Sequence, residues 1–472
     1  MRKESECGRT EKESGTTMNY QTVDIEKEFK YLADRYNPDG EFDAKLYTMS
    51  NAKRGLRNAD GTGIVAGITR ISNVHGYLIN EYERVPVDGE LFYRGVNVAD
   101  IVAACSKEDR FGYDEASWLL LFGELPTRDD LELYSRLIQK CRQIPNDFID
   151  DVIMRNPCRD IMNKLARSVL SLYAYDEDPD NTSEVNSLRQ SMELIGRLPV
   201  MMVAAYQAKR RAFDYESMFL HMPLVGLSTA ENILSTLRAD RQFTHEEALL
   251  LDRCMILHAE HGGGNNSAFV CRAVTSSGTD IYSAISAAIG ALKGPRHGGA
   301  NLKVCDMLDD IKEHVRDIRD DDEIRNYLVK IFNREAGDGT GLIYGMGHAV
   351  YTKSDPRAVI LKREAEKLVD EKGFRDDFTL LDAVERLSPS ILNAKMIDDT
   401  GICANVDMYS GLVYRMLGIP RELFTPLFAV SRMAGWCAHR LEEIQTCHRI
   451  MRPAYRPLTK SVEYVPLDER KN

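Results

Sequence analysis

Arg432 lies in Val430-Ser431-Arg432-Met433-Ala434-Gly435-Trp436, a run with no other charge. At helical spacing it shares a stripe with Phe428, Gly435 and Trp436, and no position three or four residues away is acidic. A guanidinium on an apolar face is costly unless an anion meets it, so Arg432 calls for a distant carboxylate or an anionic substrate. Arg357 poses the same choice. Asp355-Pro356 reads as helix cap and first helical residue, which sets Arg357 in the first turn, at the positive end of the helix dipole. A cation there is disfavoured unless it is exposed or an anion shares the site.

Two histidines occupy glycine-rich joints. His297 lies in Gly294-Pro295-Arg296-His297-Gly298-Gly299, between one helix and the start of the next. Imidazole near a helix N-terminus is pushed toward the neutral form, which can donate to a developing oxyanion. A turn histidine with backbone partners is the plainer reading. His348 follows Gly345-Met346-Gly347, glycines that admit a close approach to the backbone. Asp407 opens a helix whose apolar face runs Met408, Leu412 and Met416. It is either a helix cap or a base, and a base there needs desolvation, because the dipole lowers carboxylate basicity. His258 and His261 read as three apart on one helix, with His261 opening His-Gly-Gly-Gly-Asn-Asn. A metal site would need a further ligand near this pair, and an esterase would need a Gly-x-Ser-x-Gly elbow; neither occurs. Gly339-Thr340-Gly341 lacks the third glycine of a dinucleotide fingerprint, and there is no Walker loop. A non-catalytic helical scaffold would leave so many glycine-flanked histidines unexplained.

The elements that must position these residues are mostly helices. The chain has 472 residues, 43% hydrophobic and 28% charged, with only 16 prolines. That size exceeds one ordinary core and predicts two domains, or one large helical domain with a smaller partner. The formal net charge of -12 argues against nucleic acid or acidic membranes as general partners. Ten cysteines are scattered singly, without a Cys-x-x-Cys pair, which reads as free thiols in a reducing compartment, the cytosol. Residues 1–18 form a polar, acid-bearing stretch unlike a secretory or transit peptide, and no run of about 18 apolar residues suggests a membrane span. Between His75 and Val98, Asp88-Gly89 flanked by Val85, Val87, Leu91 and Tyr93 predicts a β-hairpin. Beyond Asp100 the periodicity is helical. One helix covers Ile281 to Leu292 and stops at Gly294-Pro295; another starts at Thr425-Pro426. The acidic run Asp320 to Glu323 reads as a solvated turn or helix start.

In combination, the segments Gly294 to Asn301, Gly345 to Arg357, Asn405 to Gly411 and Val430 to Arg432 resemble the active site of citrate synthases. The similarity runs from about Asn51 to Pro457, with earlier echoes in Arg54-Gly55-Leu56-Arg57, Tyr93-Arg94-Gly95 and Leu119 to Thr127. The resemblance implies an all-α fold: a large domain from 19–297 and 405–472, and a small CoA-binding domain, 298–404, that closes over the substrate. It implies that Asp407 removes a proton from the acetyl-CoA methyl group while His297 hydrogen-bonds the thioester oxygen. His348 would polarise the keto group of oxaloacetate, and His261, Arg357 and Arg432 would hold its carboxylates. Hydrolysis of citryl-CoA would then release citrate and CoA. Arg452 would be donated across a homodimer interface. Acetyl-CoA enters as co-substrate, with no permanently bound cofactor or metal, and Arg54, Gly345, Gly347 and Lys353 are the candidate CoA contacts. Some relatives carry a basic residue where this chain has Thr352, with Lys353 next, and Asp398-Asp399-Thr400 is acidic where relatives can carry lysine. A 2-methylcitrate synthase using propionyl-CoA is the near alternative, since one methylene separates the two thioesters.

Overall fold

The computed structural model describes residues 25–36, 42–58, 62–80, 83–393 and 401–470; the stretch 1–18 and the segment 398–400 lie outside them. The chain divides into two compact units, Met1–Leu56 with Ala454–Asn472, and Arg57–Pro453. In the first, α1 (Ile25–Arg35) carries Glu26 and Glu28 in its first turn and Arg35 in its last, matching the helix dipole. Asp43 caps α2 (Ala44–Met49) by accepting from Lys45 N at 2.8 Å.

The second unit holds the chemistry. A three-stranded antiparallel sheet, β1 (Ser72–Asn80), β2 (Glu83–Tyr93) and β3 (Val96–Asn97), stands at its N-terminal end, and helices follow. This is the all-α architecture with a small β element that the sequence predicts. The expected turn is displaced, however. Asp88-Gly89 lies inside β2, where the register slips between His75↔Glu90 and Tyr77↔Pro86, so the dipeptide makes a bulge and not a hairpin turn. The bulge serves the loop before the Arg357 helix. Gly89 N donates to Ser354 Oγ at 3.0 Å, and a Cβ at Gly89 would collide with Ser354 O. Asp88 receives Lys353 Nζ at 3.1 Å.

The helices that frame the site are α3 (Tyr113–Phe122), α4 (Glu184–Lys209), α5 (His245–His258), α6 (Asn266–Thr275), α7 (Ile281–Lys293), α8 (Ala300–His314), α9 (Pro356–Glu366), α10 (Arg375–Asn393), α11 (Asp407–Met416) and α12 (Phe424–Thr446). Every residue of α12 from Phe424 to Arg440 is buried, as expected of a helix surrounded by α3, α4, α5, α6 and α7. Two expected boundaries change. Thr425 does not cap α12: the helix begins at Phe424 after a short 3-10 turn, and Thr425 Oγ1 donates to Gly298 O at 2.9 Å instead. His258 ends α5, so His261 is not on the same helix. The groups that would continue α5 are used elsewhere: His258 O accepts from Arg432 Nε at 2.6 Å, and Glu260 N donates to the Tyr93 hydroxyl at 3.3 Å.

Candidate active site

His297 lies in the link from α7 to α8, where Gly298 packs against Leu292 O too closely for any side chain. Ser267 N, in the first turn of α6, donates to His297 Nε2 at 3.3 Å. A backbone N–H can only donate, so Nε2 carries the lone pair and Nδ1 carries the proton. Ser267 Oγ, 3.1 Å from Nε2, is itself held by Trp436 Nε1 at 3.1 Å. Burial, reinforced by the charge of Arg432, lowers the imidazole to about 4. His297 is therefore neutral, with Nδ1–H as its available donor.

His348 shows the mirror arrangement. Its Nδ1 accepts from Val350 N and Tyr351 N, both at 3.1 Å, which fixes the proton on Nε2. Burial and then Arg357 lower it to about 4. The ring stacks on Tyr351 at 4.6 Å and meets His261 edge-on at 4.9 Å. Gly345, at φ 82, presses against Met408 Cα, so the loop before His348 tolerates no side chain there.

Asp407 opens α11. Asn405, two residues before it, accepts Asp407 N on its Oδ1 at 3.0 Å, and its Nδ2 donates to Gly347 O at 2.9 Å. With Asn405 N to Gly345 O at 2.8 Å, these bonds lock the His348 loop to the start of the Asp407 helix. The Asp407 carboxyl makes no hydrogen bond among the described residues. Burial raises it from the usual carboxylate range to about 6, against the lowering charges of Arg357 and Arg432. This is the desolvation that a base at a helix N-terminus requires.

The cations differ from one another. Arg357, 4% exposed, donates through Nε and Nη2 to Asp355, at 3.1 and 2.7 Å, and that partner holds its charge against burial. Arg432 is fully buried, and after the single bond to His258 O its Nη1 and Nη2 have no hydrogen-bond partner among the described residues. The Phe428 ring lies 4.8 Å from its guanidinium carbon. Burial lowers Arg432 to about 10, with Glu260 and Tyr93 resisting, so it stays charged at neutral pH. His261, 8% exposed and with no hydrogen bond to Nε2 among the described residues, is driven well below its ordinary value by burial and by Arg357, His348 and Arg432. Two neutral imidazoles with outward N–H donors, a desolvated carboxylate and two free guanidinium nitrogens form a site able to abstract a weakly acidic proton next to a bound anion.

The structure thus gathers His261, His297, His348, Arg357, Asp407 and Arg432, each coupled by charge or ring contact to another of the set. Arg452 is exposed beyond α12, and no hydrogen bond, ion pair or ring contact joins it to that cluster; its neighbour Met451 N is held by Ser276 Oγ at 3.0 Å. Arg54 lies over the Tyr47 ring in the first unit. Lys353 is engaged by Asp88, in a surface pair of little energetic weight. The partners of these residues escaped sequence reasoning. Asp355 was legible as a cap but not as the partner of Arg357, and nothing local ties Trp436 to Ser267, 169 positions away.

Known proteins resemble this chain in sequence and in fold. The sequence pattern described as citrate synthase, C-terminal domain, matches residues 59–454. A citrate synthase of Synechocystis sp. is 32% identical over 412 residues, covering 86% of this chain and 92% of the relative. A 2-methylcitrate synthase of Mycobacterium tuberculosis is 33% identical over 405 residues, 85% of this chain and 89% of its own. The crystal structure of the Thermoplasma acidophilum citrate synthase, a ternary complex with carboxymethyl coenzyme A and oxaloacetate, superposes with TM-score 0.72 at 28% identity, over 88% of this chain and 98% of that one. The chain belongs to the citrate synthase family, enzymes of acyl transfer.

Proposed function

We propose that this enzyme condenses acetyl-CoA with oxaloacetate and hydrolyses the product to citrate and CoA. The observation that carries the reading is Arg432, a buried cation with two unpartnered donors beside a desolvated carboxylate and neutral histidines. Arg432, Arg357 and His261 hold the dianion, and a dianion suits two guanidiniums. His348 Nε2–H polarises the keto carbon. Asp407 takes the methyl proton of the thioester while His297 Nδ1–H stabilises the oxygen on which charge develops, giving an enol-like nucleophile that attacks the polarised carbon. Water then cleaves the citryl thioester.

The segment 298–404 acts as a small domain closing on 19–297 and 405–472, which excludes water before the proton is removed. The His348 loop supports this role, because its hydrogen bonds to 403–405 tie the interior of the segment to its C-terminal boundary. CoA is a co-substrate, with the backbone at Gly345 and Gly347 and the side chain of Lys353 as its contacts; Arg54 is a candidate contact on the resemblance alone. Arg452, exposed and without a hydrogen bond or ion pair among the described residues, is available to the other chain of a homodimer. The nine described cysteines are all free thiols, in keeping with a reducing cytosol; among the described residues no helix is long and apolar enough to cross a membrane.

Steady-state loss of thioester absorbance with acetyl-CoA and with propionyl-CoA, each at varied oxaloacetate, tests the reading. Oxaloacetate-dependent turnover with higher kcat/KM for acetyl-CoA is expected. One methylene is worth roughly 10–200-fold, so the preference is measurable. Faster turnover of propionyl-CoA would establish the 2-methylcitrate reading, the activity named for the 33% identical mycobacterial relative. No oxaloacetate-dependent turnover with either thioester would refute both.

A further inference from the structure

Beneath the substrate cluster lies a buried polar chain that the mechanism above does not use. Glu260 and His439 are both fully buried, with Glu260 Oε1 2.9 Å from His439 Nε2. On its far side His439 Nδ1 faces Arg272 Nη1 at 3.0 Å. A guanidinium has only donors, so Nδ1 accepts and the ring proton sits on Nε2, directed at Glu260. Arg272 is held in turn by Glu442 at 2.8 Å and Glu443 at 2.9 Å, and Glu442 accepts from Thr69 Oγ1 and Arg70 N, both at 2.7 Å. The tautomer of His439, and with it the acceptor state of Glu260, is thus set from outside the site.

Glu260 has a second set of bonds facing the site. Its Oε1 also accepts from Gly262 N at 2.5 Å and from Ser72 Oγ at 3.0 Å. The bond to Gly262 N spans His261, so the carboxylate closes a tight loop around that one residue, with Gly262 at φ 90 as its exit. Oε2 has no hydrogen-bond partner among the described residues and lies against Gly435, where any side chain would collide with it. Gly435 is one turn beyond Arg432 on α12, and Arg432 Nε binds the carbonyl of His258, two residues before Glu260. One carboxylate therefore sets the presentation of His261 and packs on the turn of helix that aims Arg432.

We propose that Glu260 is a positioning residue of the oxaloacetate site: it clamps the Glu260–Gly262 turn so that His261 and Arg432 face the substrate together, and His439 with Arg272 hold it in place. This rests on the reading of Arg432 and His261 as oxaloacetate ligands. A positioning role predicts a loss of substrate binding with the chemical step spared, because Glu260 touches neither the proton in flight nor the thioester.

The test is kinetic, on the full-length enzyme. Glu260→Ala removes the clamp, and the KM for oxaloacetate is expected to rise about 10-fold or more, the effect of one charge-assisted hydrogen bond. At saturating oxaloacetate kcat should stay within about threefold. Glu260→Gln keeps an acceptor oxygen for Gly262 N and should restore KM to within about threefold of the parent, which a side chain needed only for its charge would not do. If Glu260→Ala does not fold, Glu260→Asp, one methylene too short to reach His439 and Gly262 N together, replaces it with the same split expected. A folded Ala or Asp variant with unchanged KM overturns the proposal, as does a kcat that falls in step with binding. Arg432→Leu is measured alongside. If it leaves oxaloacetate affinity intact, the site assignment fails and takes this role with it; if it abolishes affinity while Glu260→Ala leaves KM unchanged, only the positioning role fails.

Discussion

Asp407→Asn should make the enzyme inactive and more stable at the same time. Burial lifts the Asp407 carboxyl from 3.8 to about 6. Its folded pKa thus exceeds its unfolded one, so between those values the folded state binds the extra proton. Stability is then present at low pH and is lost as pH rises through about 6. Each unit is worth 1.36 kcal/mol, so a shift of roughly two units makes the ionised carboxylate cost at most about 3 kcal/mol at pH 7.5 and about 1 kcal/mol at pH 4.5. Asparagine is isosteric and uncharged, and removes that cost. With an unfolding entropy of roughly 2 cal/mol/K per residue over about 400 residues, 3 kcal/mol raises Tm by about 3–4 °C. Calorimetry of both proteins should therefore show a Tm gap of that size at pH 7.5, narrowing to about 1 °C at pH 4.5. The same variant loses the base, so kcat should drop by about 10²–10⁴ or more, while oxaloacetate still binds in titration calorimetry. In the parent enzyme kcat/KM should decline as pH falls through about 6, where the base of the free enzyme becomes protonated. A variant that is less stable at pH 7.5, or a Tm gap independent of pH, would refute the claim that Asp407 is held ionised at a desolvation cost. Near-normal turnover would remove it from the mechanism.

Arg432→Leu should weaken oxaloacetate binding by about 100-fold or more, judged from loss of charge-assisted bonds to a dianion, with no fall in Tm, since a buried guanidinium without an ion pair among the described residues disappears. A large drop in Tm with unchanged affinity would identify a structural ion pair instead. Arg452 is tested by co-refolding the inactive variants Asp407→Ala and Arg452→Ala. Random pairing makes half the dimers mixed, and in each of these one of two sites is intact if the arginine acts across the interface, so about a quarter of parental activity should return. No rescue despite confirmed mixed dimers would show that Arg452 does not act in trans.

Local chemistry was enough to read several features from the chain alone. Asp355-Pro356 capped its helix as written, and the Ile281 helix stopped at Gly294, because caps and breakers act within a turn. The isolation of Arg432 was legible too, since a helical stripe without an acid cannot neutralise it locally, and the folded chain leaves its Nη donors unpaired. Asp88-Gly89 misled because a bulge and a hairpin turn ask for the same residues, and only the approach of Ser354 to Gly89 distinguishes them.

What the tertiary structure alone decided was protonation and pairing. No sequence pattern announces that Ser267 will fix the tautomer of His297, that Val350 and Tyr351 will fix that of His348, or that Asp355 will share Arg357 with the site. Nor does a local reading connect Glu260 to His439, 179 positions away. Residue types and their spacing determine which chemistry is possible. Which nitrogen keeps its proton, and which carboxylate loses its water, depend on dielectric and donors supplied by distant segments, and those come into contact only when the core closes.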